Sequence, residues 1–299
     1  MDDQQLVQVF EDYLVNERHY SELTKKAYLE DIQAFRAFLE ETGNPALKAV
    51  TLQDARIYLG RLTDEEYSRN SISRKISSLR AFYQFLVKNE EVADNPFSYL
   101  NLKKKGFRLP NFFYSEEMNQ LFEAVRGDKP LDYRNEALLE VLYGTGIRVS
   151  ECTDIRLDDI DMEMSVLLVR GKGNKERYVP FGHYAAAAME EYIEKCRIPL
   201  MTRYKKDHDF FFVNHHGDPI TAGGVQYVLK QLIKKSSLTS NIHPHMFRHT
   251  FATHLLDNGA DMRTVQELLG HSSLSSTQIY AHVTKEHLQA DYMKFHPRA

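Results

Sequence analysis

Two cysteines, Cys152 and Cys196, are all that the 299-residue chain contains. They are too few for a disulfide framework and lack the paired spacing of a zinc site, so both are expected to be ordinary reduced thiols. No apolar run reaches the length needed to cross a bilayer, and 42% hydrophobic with 27% charged residues is the composition of a soluble globular protein. The opening residues, MDDQQLVQVF, lack the basic start and apolar core of a secretory signal, which predicts a cytoplasmic location. A basic excess is also missing. With 38 Lys and Arg against 42 Asp and Glu, the formal net charge is -4, which argues against a globally basic nucleic-acid binder, although a local surface can overrule the total. Internal repeats and low-complexity tracts are absent too.

What is present is a chain long enough for two domains, each with its own core. Leu6, Val9, Phe10, Tyr13 and Leu14 form one helical stripe. Tyr28, Ile32, Phe35, Phe38 and Leu39 form another, with Ser21 or Thr24 as its cap. Residues 51–62 read as a shorter helix that starts at an N-cap. Between residues 71 and 87, Ile72, Ile76, Leu79, Phe82, Tyr83 and Leu86 recur at helical spacing, while Arg74, Ser77, Ser78 and Ala81 lie largely away from them. From residue 69 to 88 the bases Arg69, Arg74, Lys75, Arg80 and Lys88 occur with no acid between them. Arg69, Arg74, Lys75 and Arg80 are therefore the candidates for phosphate contact, against the plainer reading of a solvated face. Asn95-Pro96 ends this block, and residues 101–111 (NLKKKGFRLPN), basic and aperiodic, read as a linker between domains at 1–100 and 112–299.

The second domain opens with a helix that Ser115 can cap, and helical patterns continue to Tyr143. VLLVR, GKGNKE and RYVPF then read as a hairpin with Lys172 at its bend. Helices resume over residues 183–196 and 222–235, followed by the run IHPHMFRHTFATHLL and a last helical stretch after Val283. The expected fold is therefore mainly α, with a small antiparallel sheet in the second domain.

Three segments carry chemistry. In HPHMFRH, Pro244 favours a helix start that puts His245 and Arg248 one turn apart on one face. A zinc reading of His245 and His249 fails for want of the Glu of HExxH or a nearby Cys pair. His249 and His254 are better read as satisfying buried backbone groups. In YGTGIRVSE, a glycine-bracketed turn leads into Arg148 and a helix starting near Ser150, a setting that suits an anion. By itself the segment is equally a helix cap with a surface arginine. The third segment, LGHSS, precedes Tyr280 of TQIYAHV, and such a tyrosine alone would be core packing.

Together GIRVSE, GKGNKER, HPHMFRHTFATHLL, LGHSS and STQIY resemble, in order and separation, the tyrosine recombinase (phage integrase) family. Ser21, Thr24, Tyr28, Asp31, Phe35 and Leu39 extend the likeness to its N-terminal DNA-binding domain. RGKGNKERYVPFG and GADMRTVQELLGHSSLSSTQIYAHVTKEHL are most similar to the Xer subfamily and its XerC branch. The departures are small: Cys152 stands in place of an aliphatic residue, and Met246 and Phe247 vary the apolar residues before Arg248.

The resemblance implies a four-helix SAM-like N-terminal domain and an α-rich catalytic domain. It also implies a reaction without metal, ATP or other cofactor. Tyr280 is the implied nucleophile, forming a 3'-phosphotyrosyl link. Arg148 and Arg248 hold the phosphate, His245 and His271 donate to it or accept the tyrosine proton, and Lys172 protonates the leaving 5'-oxygen. The implied partners are duplex DNA with a dif-like site, a second, XerD-like recombinase in a cyclic tetramer on two duplexes, and an FtsK-type DNA translocase. The resemblance also docks Leu288, Tyr292 and Phe295 on a neighbouring protomer, against docking on their own domain. The rival readings are a stand-alone integrase of a mobile element, a type IB topoisomerase-like strand transferase, a non-catalytic DNA-binding relative, and a phosphate-binding metabolic enzyme. The last is weakened because GKGNKE lacks the phosphate-loop spacing.

Overall fold

The computed structural model describes residues 1–18, 20–43, 46–101, 112–171, 176–236, 238, 245–270 and 285–299, with residues 245 and 285–287 described by backbone alone. The chain divides into two compact units, Met1–Phe107 and Arg108–Ala299.

The N-terminal unit is built on α1 (Asp3–Asn16), α2 (Glu22–Glu41), α3 (Leu52–Asp64) and α4 (Arg69–Lys88). Each begins where a short polar side chain supplies an acceptor to otherwise orphaned backbone N–H groups: Asp2, Ser21, Thr51 and Ser68. The stripes converge on an aromatic core, in which Phe10 meets Phe82 edge-on at 5.1 Å and Phe35 meets Phe97 at 5.2 Å.

A polar staple crosses this core. The fully buried Asp31 of α2 accepts from Arg74 Nη1 (2.5 Å) and Nη2 (2.9 Å), Lys75 Nζ (3.2 Å) and Ser78 Oγ (2.8 Å), all on α4. Its carboxylate could not stand buried without such donors. The face of α4 set aside for phosphate contact is corrected accordingly: Ser78 is buried, and Ala81 packs against the core.

In the C-terminal unit, α5 (Ser115–Val125) is capped at Tyr114, not at Ser115. Glu117 reaches back to accept from Tyr114 N at 2.8 Å, so the acid does the capping. Next comes α6 (Pro130–Thr145), whose residues from Ala137 to Thr145 are buried on every side. It is followed by α7 (Val149–Thr153) and an antiparallel sheet of β1 (Ile160–Asp161), β2 (Val166–Arg170) and β3 (Glu176–Pro180) in that order. The hairpin is as expected, with Val169 opposite Arg177 and Leu167 opposite Val179; β1 is an addition. Helix α8 (His183–Tyr192) continues through a π turn into α9 (Ile198–Tyr204).

The unit closes with α10 (Ala222–Lys235), α11 (His245–Asp257), α12 (Met262–Leu269) and α13 (Lys285–Phe295). Tyr292 of α13 is fully buried among Phe251, Leu255, Leu268 and Leu269, so the stripe is covered here by the chain's own α11 and α12. Beyond it Arg298 pairs with buried Glu140 and lies between the rings of Phe122 (4.0 Å) and Tyr184 (3.9 Å). Among the described residues no helix is long and apolar enough to cross a membrane. The fold is mainly α, with the small antiparallel sheet expected.

Candidate active site

Helix α6 ends at Gly146 in the left-handed region (φ 62°). Glycine is required there on two counts: the conformation itself, and a Cβ that would lie 2.5 Å from Phe251 Cδ1. The turn delivers Arg148 to the N-cap of α7, where Glu151 reaches back and accepts from Arg148 N at 2.8 Å and from its Nη1 at 2.7 Å. The capping box therefore fixes both the backbone and the guanidinium of Arg148, whose side chain stays 41% exposed.

Arg248 comes to the same turn from α11. Only 8% exposed, it donates from Nη1 to Gly146 O (2.9 Å) and from Nη2 to Leu269 O (2.5 Å). These carbonyls terminate α6 and α12, so one guanidinium ties two helix ends together. Burial first, and the repulsion of Arg148 second, push its pKa down to about 10, which leaves it charged at neutral pH. Helix α12 stops at Gly270, also left-handed (φ 64°), immediately before His271.

A third cation lies behind these two. Arg177 of β3 donates from Nη1 to Glu151 Oε1 (3.0 Å) and from Nη2 to Oε2 (2.9 Å), a bidentate pair. The Glu151 side chain is 3% exposed. Burial alone would raise its pKa, but hydrogen bonds from Arg177 and then Arg148 outweigh that and hold it below the ordinary carboxylate value.

Of the residues singled out in the sequence, Arg148 and Arg248 are brought together, and His245 opens α11 one turn before Arg248. Lys172, His271 and Tyr280 lie outside the described residues. Among the phosphate-contact candidates, Arg69 is exposed at the start of α4, Arg74 and Lys75 are engaged with Asp31, and Arg80 donates to Phe97 O and Leu100 O, both at 3.2 Å.

The reading of the two further histidines needs one correction. His254 is buried, with Nδ1 2.8 Å from Tyr143 Oη, but His249 is exposed, because α11 turns Met246, Phe247, Thr250 and Phe251 inward instead. Cys152 fills an apolar position at 0% exposure, and burial pushes its thiol well above the usual range. Buried Met246 and Phe247 likewise serve packing.

The sequence reading passed over Glu151 and Arg177. Both left a signal: Glu151 is the third helical residue after Arg148, the capping-box position. Arg177 shares the parity of buried Val179 and so faces inward on β3.

Residues 111–287 match the model described as "Phage integrase family", and residues 7–90 match "Phage integrase, N-terminal SAM-like domain". The chain is 59% identical over 295 residues to the tyrosine recombinase XerC of Listeria monocytogenes serotype 4a (strain HCC23), covering 98% of both chains. It is 56% identical over 297 residues to that of Pediococcus pentosaceus, covering 99% of both. In fold it is similar to the Tn1549 transposon integrase in complex with circular intermediate DNA, with a TM-score of 0.70, 22% identity, and coverage of 96% of this chain and 98% of that one. A lambda integrase tetramer bound to a Holliday junction gives a TM-score of 0.68 and 19% identity, covering 94% of this chain and 80% of that one. By the end-to-end identity with its relatives, the chain belongs to the phage integrase family and is a site-specific tyrosine recombinase.

Proposed function

We propose that this recombinase breaks and remakes DNA strands at the turn held by Gly146, with Tyr280 as nucleophile and Arg148 and Arg248 as the phosphate clamp. The observation that carries this reading is electrostatic. Two guanidiniums from segments a hundred residues apart in sequence converge on one glycine turn, and one of them is buried beside the other. Concentrating like charges in a desolvated place is costly, and a bound phosphate relieves it.

The Tyr280 phenol attacks the scissile phosphorus in line, forming a P–O(Tyr) bond while the P–O5' bond breaks. Lys172 gives a proton to the departing 5'-oxygen, and His245 and His271 serve the phosphate oxygens and the phenolic proton. Attack by a 5'-hydroxyl of the partner strand reverses the step. One phosphoester replaces another throughout, so no ATP is consumed, and arginine supplies the positive charge that a metal would.

The relatives are named XerC, and the solved neighbours include an integrase on circular intermediate DNA and a tetramer on a Holliday junction. On that support, duplex DNA with a dif-like site is the substrate of a recombinase tetramer that resolves chromosome dimers. A second, XerD-like recombinase shares the tetramer, and an FtsK-type translocase activates it.

The test is to incubate the protein in EDTA with a nicked duplex carrying a dif-like site, with the second recombinase present. A denaturant-resistant adduct is expected for the wild type, and none for Tyr280→Phe at undiminished DNA binding. An adduct retained in Tyr280→Phe, or lost on chelation, overturns the reading.

A further inference from the structure

The carboxylate of Glu151 stands between two arginines but treats them differently. From Arg177 it takes both terminal nitrogens, one on each oxygen. From the Arg148 side chain it takes Nη1 alone, on Oε1; its other oxygen accepts the Arg148 backbone N–H. Among the described residues, Nη2 and Nε of Arg148 have no hydrogen-bond partner. The terminal nitrogens of Arg248, by contrast, each already give one N–H, to Gly146 O and to Leu269 O, and keep one N–H apiece. Arg148 is thus the guanidinium with more donors to spare, and the occupied state of Glu151 keeps them so.

We infer that Arg177 is a positioning residue for strand cleavage, which occupies Glu151 so that Glu151 orients Arg148 without capturing it. The inference rests on the reading of Arg148 as a phosphate clamp. A carboxylate and a guanidinium close together settle into a two-bond fork unless something else fills the second acceptor. With Arg177 absent, Arg148 would be the one side-chain cation left to Glu151, and its second nitrogen would turn from the phosphate to the carboxylate. Charge points the same way: Arg148 and Glu151 alone cancel, while Arg177 restores the positive field.

Arg177 also touches the other end of the site. A Cβ on Gly270 would fall 2.7 Å from Arg177 Cδ and 2.8 Å from its Nε, and this Nε is buried without a partner among the described residues. The arginine therefore lies directly against the glycine that precedes His271. Its place on β3, five residues after Lys172 in GKGNKER, couples the hairpin to both glycine turns through one side chain.

The experiment is a double-mutant cycle on the full chain, reading the rate of covalent capture of the nicked dif-like duplex at saturating DNA. Arg177→Gln should slow capture by about tenfold to a hundredfold, the scale on which a misplaced catalytic contact is felt, with DNA affinity unchanged. Adding Glu151→Gln to it should bring capture back to the rate of Glu151→Gln alone, because a neutral amide no longer competes for Arg148. Arg177→Lys, which keeps the charge but loses the fork, should fall between wild type and Arg177→Gln. It should show the same suppression, which keeps the test valid if the glutamine variant folds poorly by circular dichroism.

Wild-type capture by Arg177→Gln overturns the inference. So does a double variant slower than both single variants, since a mere structural brace predicts losses that add. Arg148→Gln is the reference arm. If it captures DNA like wild type, the clamp reading itself fails and the inference goes with it; if it is inactive while Arg177→Gln is normal, the Arg177 inference alone falls.

Discussion

Each unit buries one carboxylate between two cations, and the two are used in opposite ways. Asp31 in the N-terminal unit consumes its partners: both Arg74 terminal nitrogens, the Lys75 ammonium and the Ser78 hydroxyl are turned onto it. Glu151 in the C-terminal unit is itself consumed by Arg177, and takes only one side-chain nitrogen of Arg148. The first arrangement fastens α2 to α4. The second leaves a guanidinium oriented but available. A buried acid with two basic neighbours is thus a brace or an aiming device according to how many donors it uses up.

The largest effect that would test this contrast is on stability. Asp31→Ala leaves the buried Ser78 hydroxyl and the largely buried Lys75 ammonium without their acceptor, along with the half-exposed Arg74 guanidinium, and should cost about 3 kcal/mol in urea unfolding of the full chain. Far-UV circular dichroism is the suitable probe, because the chain contains no tryptophan. Unfolding unchanged from wild type would show that Asp31 braces nothing. Glu151→Gln should cost visibly less, because the amide oxygen still caps Arg148 N.

A second test asks which unit acid attacks. His296 is buried with Nε2 unpartnered among the described residues, and its ring stacks on Tyr292 at 5.1 Å beside Phe251, Tyr143 and Arg298. Burial first, then nearby His254, push its pKa down to about 3 from an ordinary 6.5. The unfolded chain therefore takes up the proton first. The stabilisation from neutral His296 is complete above pH 6.5 and drains away as pH falls toward 3. Between pH 6.5 and 4 the C-terminal unit should lose on the order of 2–3 kcal/mol that His296→Phe does not lose. Parallel pH profiles for the two proteins would remove His296 from the account.

The smallest effect separates braced from free bases on α4. Arg69→Ala should flatten the dependence of DNA affinity on salt by about one counterion without moving the unfolding midpoint. Arg80→Ala, whose side chain holds the carbonyls of Phe97 and Leu100, should instead lower stability. Reversed outcomes would break the division.

These contrasts also mark what could be read from the sequence. Helices α2 and α3 follow from apolar spacing and from caps at Ser21 and Thr51, and α10 from its helical pattern alone, all local signals. The hairpin follows from two apolar runs around a glycine-rich turn. Arg148 and Arg248 became candidates through the joint resemblance of five segments, and both lie at the Gly146 turn. What escaped depends on partners remote in sequence: Ser78 is buried because Asp31 lies 47 positions earlier, and Arg177 faces inward toward a carboxylate 26 positions before it. The exposure of His249 follows from which face of α11 packs, a choice that its mixed pattern of histidines and apolar residues did not settle.

The pairing of β3 with β2 carries a consequence for how such a chain can change length. Arg177 opposite Val169 and Val179 opposite Leu167 stand on one face, with Glu176 and Tyr178 on the other. Residues added or lost between the two strands leave that alternation alone. A single residue inserted within β3 ahead of Arg177 inverts it, sending Tyr178 outward no longer and the arginine away from Glu151. Inheritable insertions and deletions in this hairpin should therefore collect between its strands, and lineages that lengthen β3 should do so by even numbers.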